Sequence, residues 1–326
     1  MDLTTNYIGL KLKNPIIIGS SGLTESVEKI KEIADNGAGA VVLKSLFEEQ
    51  IMAEVSQNIY DDQSGYTEAY EYISEYTKEH NIDKYFNLIK KSKEAVDIPV
   101  IASINCFSDH EWISFAKKFE DAGADALEIN VSMLPTDDNR SGEENEKIYF
   151  DIIEKVRKEV NIPISLKMSH YSAGLSNLIK KICWTKNVNG IVLFNRYYNP
   201  DIDIENFKIT ASNILSTPGE ILTSLRWIAL LSNKIECDLA ASTGVHNGEG
   251  VIKQILAGAT AVQIVSAIYK HGPEHISTIL KDTENWMEKN NFSSLNDFRG
   301  KMSYEKIDNP AAFERVQFMK YFGGIE

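Results

Sequence analysis

The feature that most restricts this chain is the recurrence of short apolar runs, each followed by amphipathic sequence. Runs lie at Pro15–Gly19, Ala40–Lys44, Pro99–Ile104, Ala126–Ser132, Ile164–Lys167, Gly190–Phe194, Cys237–Ala241 and Ala261–Val265, eight in all. As a set they lack a strict apolar–polar alternation, so they read as parallel strands buried on both faces. The sequence between them carries helix spacing, as in Val27-Ile30-Ile33-Ala34 and Ile113-Phe115-Ala116-Phe119. Several of these helices end in a glycine turn (Asn36-Gly37-Ala38-Gly39, Asp121-Ala122-Gly123-Ala124, Ala257-Gly258-Ala259), where glycine supplies the left-handed cap. An open doubly wound sheet usually holds fewer units, so eight predict a closed (β/α)8 TIM barrel, an α/β fold.

Two connections exceed a simple barrel loop. Ser45 to Asp97 holds acidic, tyrosine-rich sequence (Tyr60, Tyr66, Tyr70, Tyr72, Tyr76), and Asn195 to Glu236 holds Arg196-Tyr197-Tyr198 and Ser216-Thr217-Pro218-Gly219. These are long loops after strands 2 and 6, on the face where barrels do chemistry; helix packing or a subunit contact is the other use for the tyrosines. The tail from Leu295 to Glu326, with Phe298, Phe313, Phe318 and Phe322, reads as a C-terminal helical extension. No Pro-rich linker divides the chain, which predicts a single domain over 1–326, with the barrel at about 6–290 and the extension at about 291–326.

A formal net charge of −13 argues against non-specific nucleic-acid binding and against anionic membrane surfaces. Cys106, Cys183 and Cys237 are widely spaced, which suits free thiols in a reducing compartment and no metal site. With no signal-like N-terminus and no apolar run of membrane-spanning length, a cytoplasmic protein is expected.

Polar residues gather where the apolar runs end. The stretch Leu239 to Ser266 leads from Ser242-Thr243-Gly244 through a helical segment, Gly248 to Ala257, to Val265-Ser266. Two such strand ends can cradle a phosphate dianion, or the glycines can simply close turns. Lys44 and Lys167 end the second and fifth runs, where burial is costly without an anionic partner. That partner is either a ligand or a neighbouring carboxylate such as Glu128.

Together these segments resemble the dihydroorotate dehydrogenase family, in its soluble class 1 branch, from Asn6 to about Gly300. Asn14-Pro15 through Gly19-Ser20-Ser21-Gly22, Ala38-Gly39-Ala40 through Leu43-Lys44-Ser45, Leu127-Glu128-Ile129-Asn130-Val131-Ser132 and Leu166-Lys167 follow the family's motifs in order. The resemblance implies FMN as cofactor, held by Ser20, Ser21, Lys44, Ser45, Asn105, Asn130, Lys167, Ser216, Thr243, Gly244, Val265 and Ser266. It implies that Lys167 stabilises negative charge on the reduced flavin and that Lys44, Asn130 and Asn195 hold a dihydropyrimidine carboxylate. The implied reaction is oxidation of dihydroorotate or a relative, in pyrimidine biosynthesis.

Two departures fall on the substrate side. The family carries a cysteine or serine base after the fourth strand; this chain has Met133 there, next to Ser132, and a thioether accepts no proton at neutral pH. His170 and Tyr171 stand just beyond Lys167 as replacements or as loop residues. The family's Asn-rich NxxGxxN loop has no match in Glu48–Tyr76, and Arg196 stands where a small hydroxyl residue is usual, able to pair with a substrate carboxylate. Without an iron–sulfur cysteine cluster or a hydrophobic N-terminal hairpin, the expected electron acceptor is soluble or a partner protein. Class 1 resemblance also implies a homodimer. A flavoprotein with another substrate, or a non-catalytic one, is the alternative that Met133 leaves open.

Overall fold

The computed structural model describes residues 1–47, 82–105, 113–131, 133–197 and 199–314. Eight parallel strands form the wall: β1 (Ile16–Ile18), β2 (Ala40–Val42), β3 (Val100–Asn105), β4 (Ala126–Asn130), β5 (Ile164–Met168), β6 (Gly190–Leu193), β7 (Asp238–Ser242) and β8 (Ala261–Ile264). Each pairs with its neighbour in chain order, and Ile264 opposite Ile18 joins β8 to β1 and closes the barrel. Leu46–Phe47 adds a short pairing on the end of β3. The expected fold is therefore the observed one, with strand ends displaced by one or two residues. Pro15 and Pro99 fall outside their strands because they have no N–H to donate; their carbonyls still accept from Val262 and Val41.

The wall separates two cores. Outside, Ile18, Val41, Leu127, Leu166 and Leu239 meet the apolar stripes of the helices, among them Val27–Asp35, Gly142–Glu159 and Gly248–Ala257. Inside, Ile17, Val42, Ile101, Ala126, Val192, Ala240 and Ala261 form a smaller cluster with Tyr7, Ile8 and Leu12. Those three come from an antiparallel hairpin, Thr5–Tyr7 with Leu10–Leu12, that floors the barrel. Asp238 fastens the floor by accepting from the Ile8 amide at 2.6 Å, and the Thr5 hydroxyl donates to the Thr260 carbonyl at 3.0 Å.

Of the two long connections, the one after β6 is an inserted hairpin followed by an ordinary barrel helix, Ile221–Leu231. The hairpin pairs Pro200–Asp203 with Lys208–Ala211 and sets Ile202 opposite Ile209. In the connection after β2, the tyrosines from Tyr60 to Tyr76 lie outside the described residues, whereas residues 82–95 are helical. In the extension, Phe298 is buried against Trp286 and Phe292, and a short helix, Ala311–Glu314, follows; Phe318 and Phe322 lie outside the described residues. Cys183 and Cys237 are free thiols, and Cys106 lies outside the described residues. Among the described residues no helix is long and apolar enough to cross a membrane.

Candidate active site

Inside the barrel, the polar layer sits above the apolar one. Ladder register aligns Asn105 with Asn130 and Asn130 with Lys167, so two amides and an ammonium form one row across β3, β4 and β5. All three residues are buried, and Asn105 Oδ1 has no hydrogen-bond partner among the described residues. A buried amide oxygen left without a donor is costly, and a ligand donor would relieve it.

From that row Lys167 meets two further buried side chains, Gln263 and Glu128, across the interior. Lys167 Nζ donates to Gln263 Oε1 at 2.9 Å, and Gln263 Nε2 donates to Glu128 Oε2. Glu128 Oε1 lies 3.6 Å from the ammonium, within Coulombic reach but beyond a hydrogen bond. β4 and β8 are not neighbours in the wall, so the Gln263 amide spans the barrel to reach the carboxylate. This triad answers the cost of burying Lys167, whose side chain is only 10% exposed.

Above Lys167 a cavity of about 290 Å³ runs along the ends of β7 and β8. Ser20, Lys167, Asn195, Ser216, Ser242, Thr243, Gly244, Gln263, Val265 and Ser266 are among its lining residues. Thr243 and Gly244 both take positive φ, +78° and +80°. For a β-branched residue this is a strained conformation of the kind found at functional loops. The Thr243 hydroxyl holds the turn by donating to the Phe194 carbonyl at 3.2 Å. At Gly244 a side chain would collide with the backbone at Glu220 and Ile221, so only glycine lets these loops pack.

Ser216 ties the upper loops together. Its N–H donates to Ser266 Oγ at 2.9 Å, its carbonyl accepts from Lys270 Nζ at 3.0 Å, and its hydroxyl meets His246 Nε2 at 3.2 Å. The loops after β6, β7 and β8 are thus joined at one residue.

The remaining sequence-derived residues are placed differently. Ser20, Ser45 and Ser103 form a hydroxyl chain, with contacts of 2.9 and 2.7 Å, and Ser21 caps the turn Gly22–Thr24. Lys44 does not line this cavity; it is ion-paired to Glu25 at 3.0 Å, about two-fifths exposed. Arg196 faces protein groups rather than a free anion subsite. Its guanidinium donates to Glu220 at 2.8 Å and to the Asn213 and Ile214 carbonyls, both at 2.7 Å, which brace the inserted hairpin. Ser132 lies outside the described residues.

Met133 is partly buried, and its carbonyl accepts from the Tyr197 hydroxyl at 3.0 Å. Tyr197 stacks on Tyr171, Tyr171 on His170, and His170 against Phe194. These rings line a second cleft of about 250 Å³ that shares Asn195, Arg196 and Thr243 with the first cavity. Burial holds the His170 imidazole below its usual pKa and pushes the Tyr197 phenol up to about 12, so both are uncharged at neutral pH.

Gln263, Glu25, Ser103 and His246 were not singled out from the sequence. Gln263 and Ser103 left a signal, a polar side chain inside the apolar runs Ala261-Val262-Gln263-Ile264 and Val100-Ile101-Ala102-Ser103-Ile104; Glu25 and His246 left none that distinguishes them from surface residues. Among the described residues, no group of three or more His, Cys, Asp or Glu side chains is placed to hold a metal ion.

A family model described as dihydroorotate dehydrogenase matches residues 2–287. Among similar proteins, a dihydroorotate dehydrogenase B (NAD(+)) catalytic subunit from Thermoplasma volcanium is 25% identical over 312 residues, 92% of this chain and 98% of that one. The protein of the same description from Methanocaldococcus jannaschii is 25% identical over 298 residues, 89% of this chain and 95% of that one. A putative dihydroorotate dehydrogenase A (fumarate) from Aeropyrum pernix is 24% identical over 304 residues, 92% of this chain and 97% of that one.

Proposed function

The chain belongs to the dihydroorotate dehydrogenase family, and on that premise we propose that it uses FMN to oxidise dihydroorotate or a related dihydropyrimidine. Membership makes it an oxidoreductase acting on a CH–CH group. The observation that carries the cofactor assignment is the row Asn105–Asn130–Lys167, with its unpartnered amide oxygen, whose Lys167 lines the cavity that ends at Gly244 and Ser266. A flat ligand rich in ring heteroatoms at one end and anionic at the other suits that donor set.

In this reading residues 1–326 are one FMN-binding domain. Ser20, Ser21, Lys44, Ser45, Asn105, Asn130 and Lys167 serve the ring, while Ser216, Thr243, Gly244, Val265 and Ser266 serve the phosphate. When bound, FMN supplies a two-electron acceptor able to take a hydride from carbon. Lys167, fixed by Gln263 and Glu128, holds positive charge where the ring gains electrons. Asn130, Asn195 and Lys44 orient the substrate, with Lys44 exchanging Glu25 for a substrate carboxylate. Ser132 and Met133 occupy the position of the base, where the thioether takes no proton. His170 lines the aromatic cleft as an uncharged imidazole, a group able to receive the substrate proton.

The electrons leave to a soluble acceptor or a partner protein, and a cytoplasmic homodimer completes the proposal. Met133 supports one further reading, a flavoprotein of this fold with another substrate or none.

An anaerobic visible spectrum of the purified protein, before and after dihydroorotate, tests the proposal. Bleaching of a flavin spectrum at a useful rate supports it. A flavin spectrum that dihydroorotate leaves unchanged moves the assignment to the second reading. Protein that neither carries nor takes up FMN refutes both.

A further inference from the structure

We propose that His246 is a positioning residue for the anionic end of the bound cofactor, gaining a proton as the phosphate dianion enters. The inference rests on the FMN reading and goes beyond it, because neither the family motifs nor the row of barrel residues assigns His246 a role.

Ser216 is 3% exposed and lines the cavity beside Gly244 and Ser266. Its N–H and carbonyl are already committed to Ser266 and Lys270, so its hydroxyl is the polar group left to vary. That hydroxyl meets His246 Nε2 at 3.2 Å. An imidazolium must donate from Nε2 to Ser216 Oγ, which frees the hydroxyl hydrogen to turn toward an anion. The backbone that carries the ring is held, because the His246 carbonyl takes a hydrogen bond from His275 Nε2 at 2.8 Å and Asn247 caps the next helix.

Charged and titratable groups reach His246 from every neighbouring loop. Lys270 and His271 come from the segment after β8, His275 from the helix beyond it, and Glu220 from the turn after the inserted hairpin. Burial and then the Lys270 ammonium hold His246 below the usual histidine pKa, so it is neutral at pH 7 without a ligand. A dianion placed among Ser216, Gly244 and Ser266 reverses that balance and raises the pKa. Between the two values, binding takes up a proton, and affinity falls as pH rises, by at most about tenfold per pH unit. The cofactor phosphate has its own second ionisation near pH 6, and it acts in the opposite direction.

The test compares full-length wild-type protein with His246→Gln, whose amide nitrogen reaches about as far as Nε2 and can still bond Ser216 but does not titrate; His246→Asn replaces it should Gln fail to fold. Flavin fluorescence on dilution gives the Kd for FMN and for riboflavin, which lacks the phosphate, from pH 5.5 to 8. The expected result is a wild-type FMN Kd that weakens with pH at least about threefold more than that of the variant, with riboflavin unaffected by the substitution's pH term. Parallel FMN profiles for wild type and variant overturn the role of His246 while leaving the cofactor reading intact. Wild-type protein that binds riboflavin and FMN equally well at every pH also overturns it. Absence of any flavin binding overturns both.

Discussion

Replacing Lys167 by methionine is the sharpest test of how the barrel interior is built. The substitution keeps the chain's bulk and removes its charge, leaving Glu128, 1% exposed, with the Gln263 amide as its hydrogen-bond partner among the described residues. At 3.6 Å and an effective dielectric of about 20, the lost attraction is roughly 4–5 kcal/mol, in line with the roughly 3–5 kcal/mol typical of breaking one half of a buried pair. Glu128→Gln alone should cost less, about 2–3 kcal/mol, because Lys167 keeps its bond to Gln263 and a little solvent. In the double variant no buried charge remains, and the amide put in place of the Glu128 carboxylate can still pair with Gln263. Its loss should therefore fall short of the sum of the single losses by about 2 kcal/mol or more. Urea unfolding of cofactor-free protein at pH 7 measures all three, provided the slope m stays constant. Additivity to within about 0.5 kcal/mol would refute the claim that the two charges stabilise one another.

Gly244→Ala should destabilise by about 2–5 kcal/mol, combining a left-handed residue with a Cβ forced against Glu220 C and Ile221 Cα at 2.6 and 2.7 Å. Gly9→Ala, with a similar φ of +84° and open space around it, should cost only about 1–2 kcal/mol; equal losses in thermal unfolding would show that the collision is absent. The Asp297 carboxyl, which accepts from Ser293 and Ser294, is drawn down to about 2. Its stabilisation of the turn beneath Phe298 is complete above the ordinary Asp pKa and is lost as pH falls toward 2. Fluorescence of Trp286, packed on Phe298, should report loosening between pH about 4 and about 2 in wild type but not in Asp297→Asn, which lacks the stabilisation throughout.

The barrel was legible because its signal is repeated. Each of the eight apolar runs is buried on both sides, and each misplacement of an end is local, as at Pro15 and Pro99. Helix Gly248–Ala257 was readable to the residue because Asn247 and Gly258 mark its two ends in the side-chain chemistry itself. The site was less legible because its distinguishing contacts join residues far apart in the chain. Nothing near Lys167 announces Gln263, 96 positions away, and nothing near Lys44 announces that Glu25 will take its charge. Arg196 was the most misleading residue in isolation. A free guanidinium at a strand end suggests an anion site, yet here its donors are drawn to Glu220 and two carbonyls of a hairpin that the apolar pattern does not foretell.

The floor of the barrel also constrains the order in which the molecule can be completed. Residues Thr5–Leu12 leave the ribosome early, but the groups that fasten them come much later: Asp238 lies 230 positions beyond Ile8, and Thr260 lies 255 beyond Thr5. Until β7 and β8 emerge, the apolar faces of Tyr7, Ile8 and Leu12 have no finished interior to enter. At a synthesis rate of roughly 5–20 residues per second, that interval is on the order of ten seconds or more. The hairpin is therefore made long before it is sealed, and during that wait its exposed face is a natural target for the chaperones that attend a growing chain.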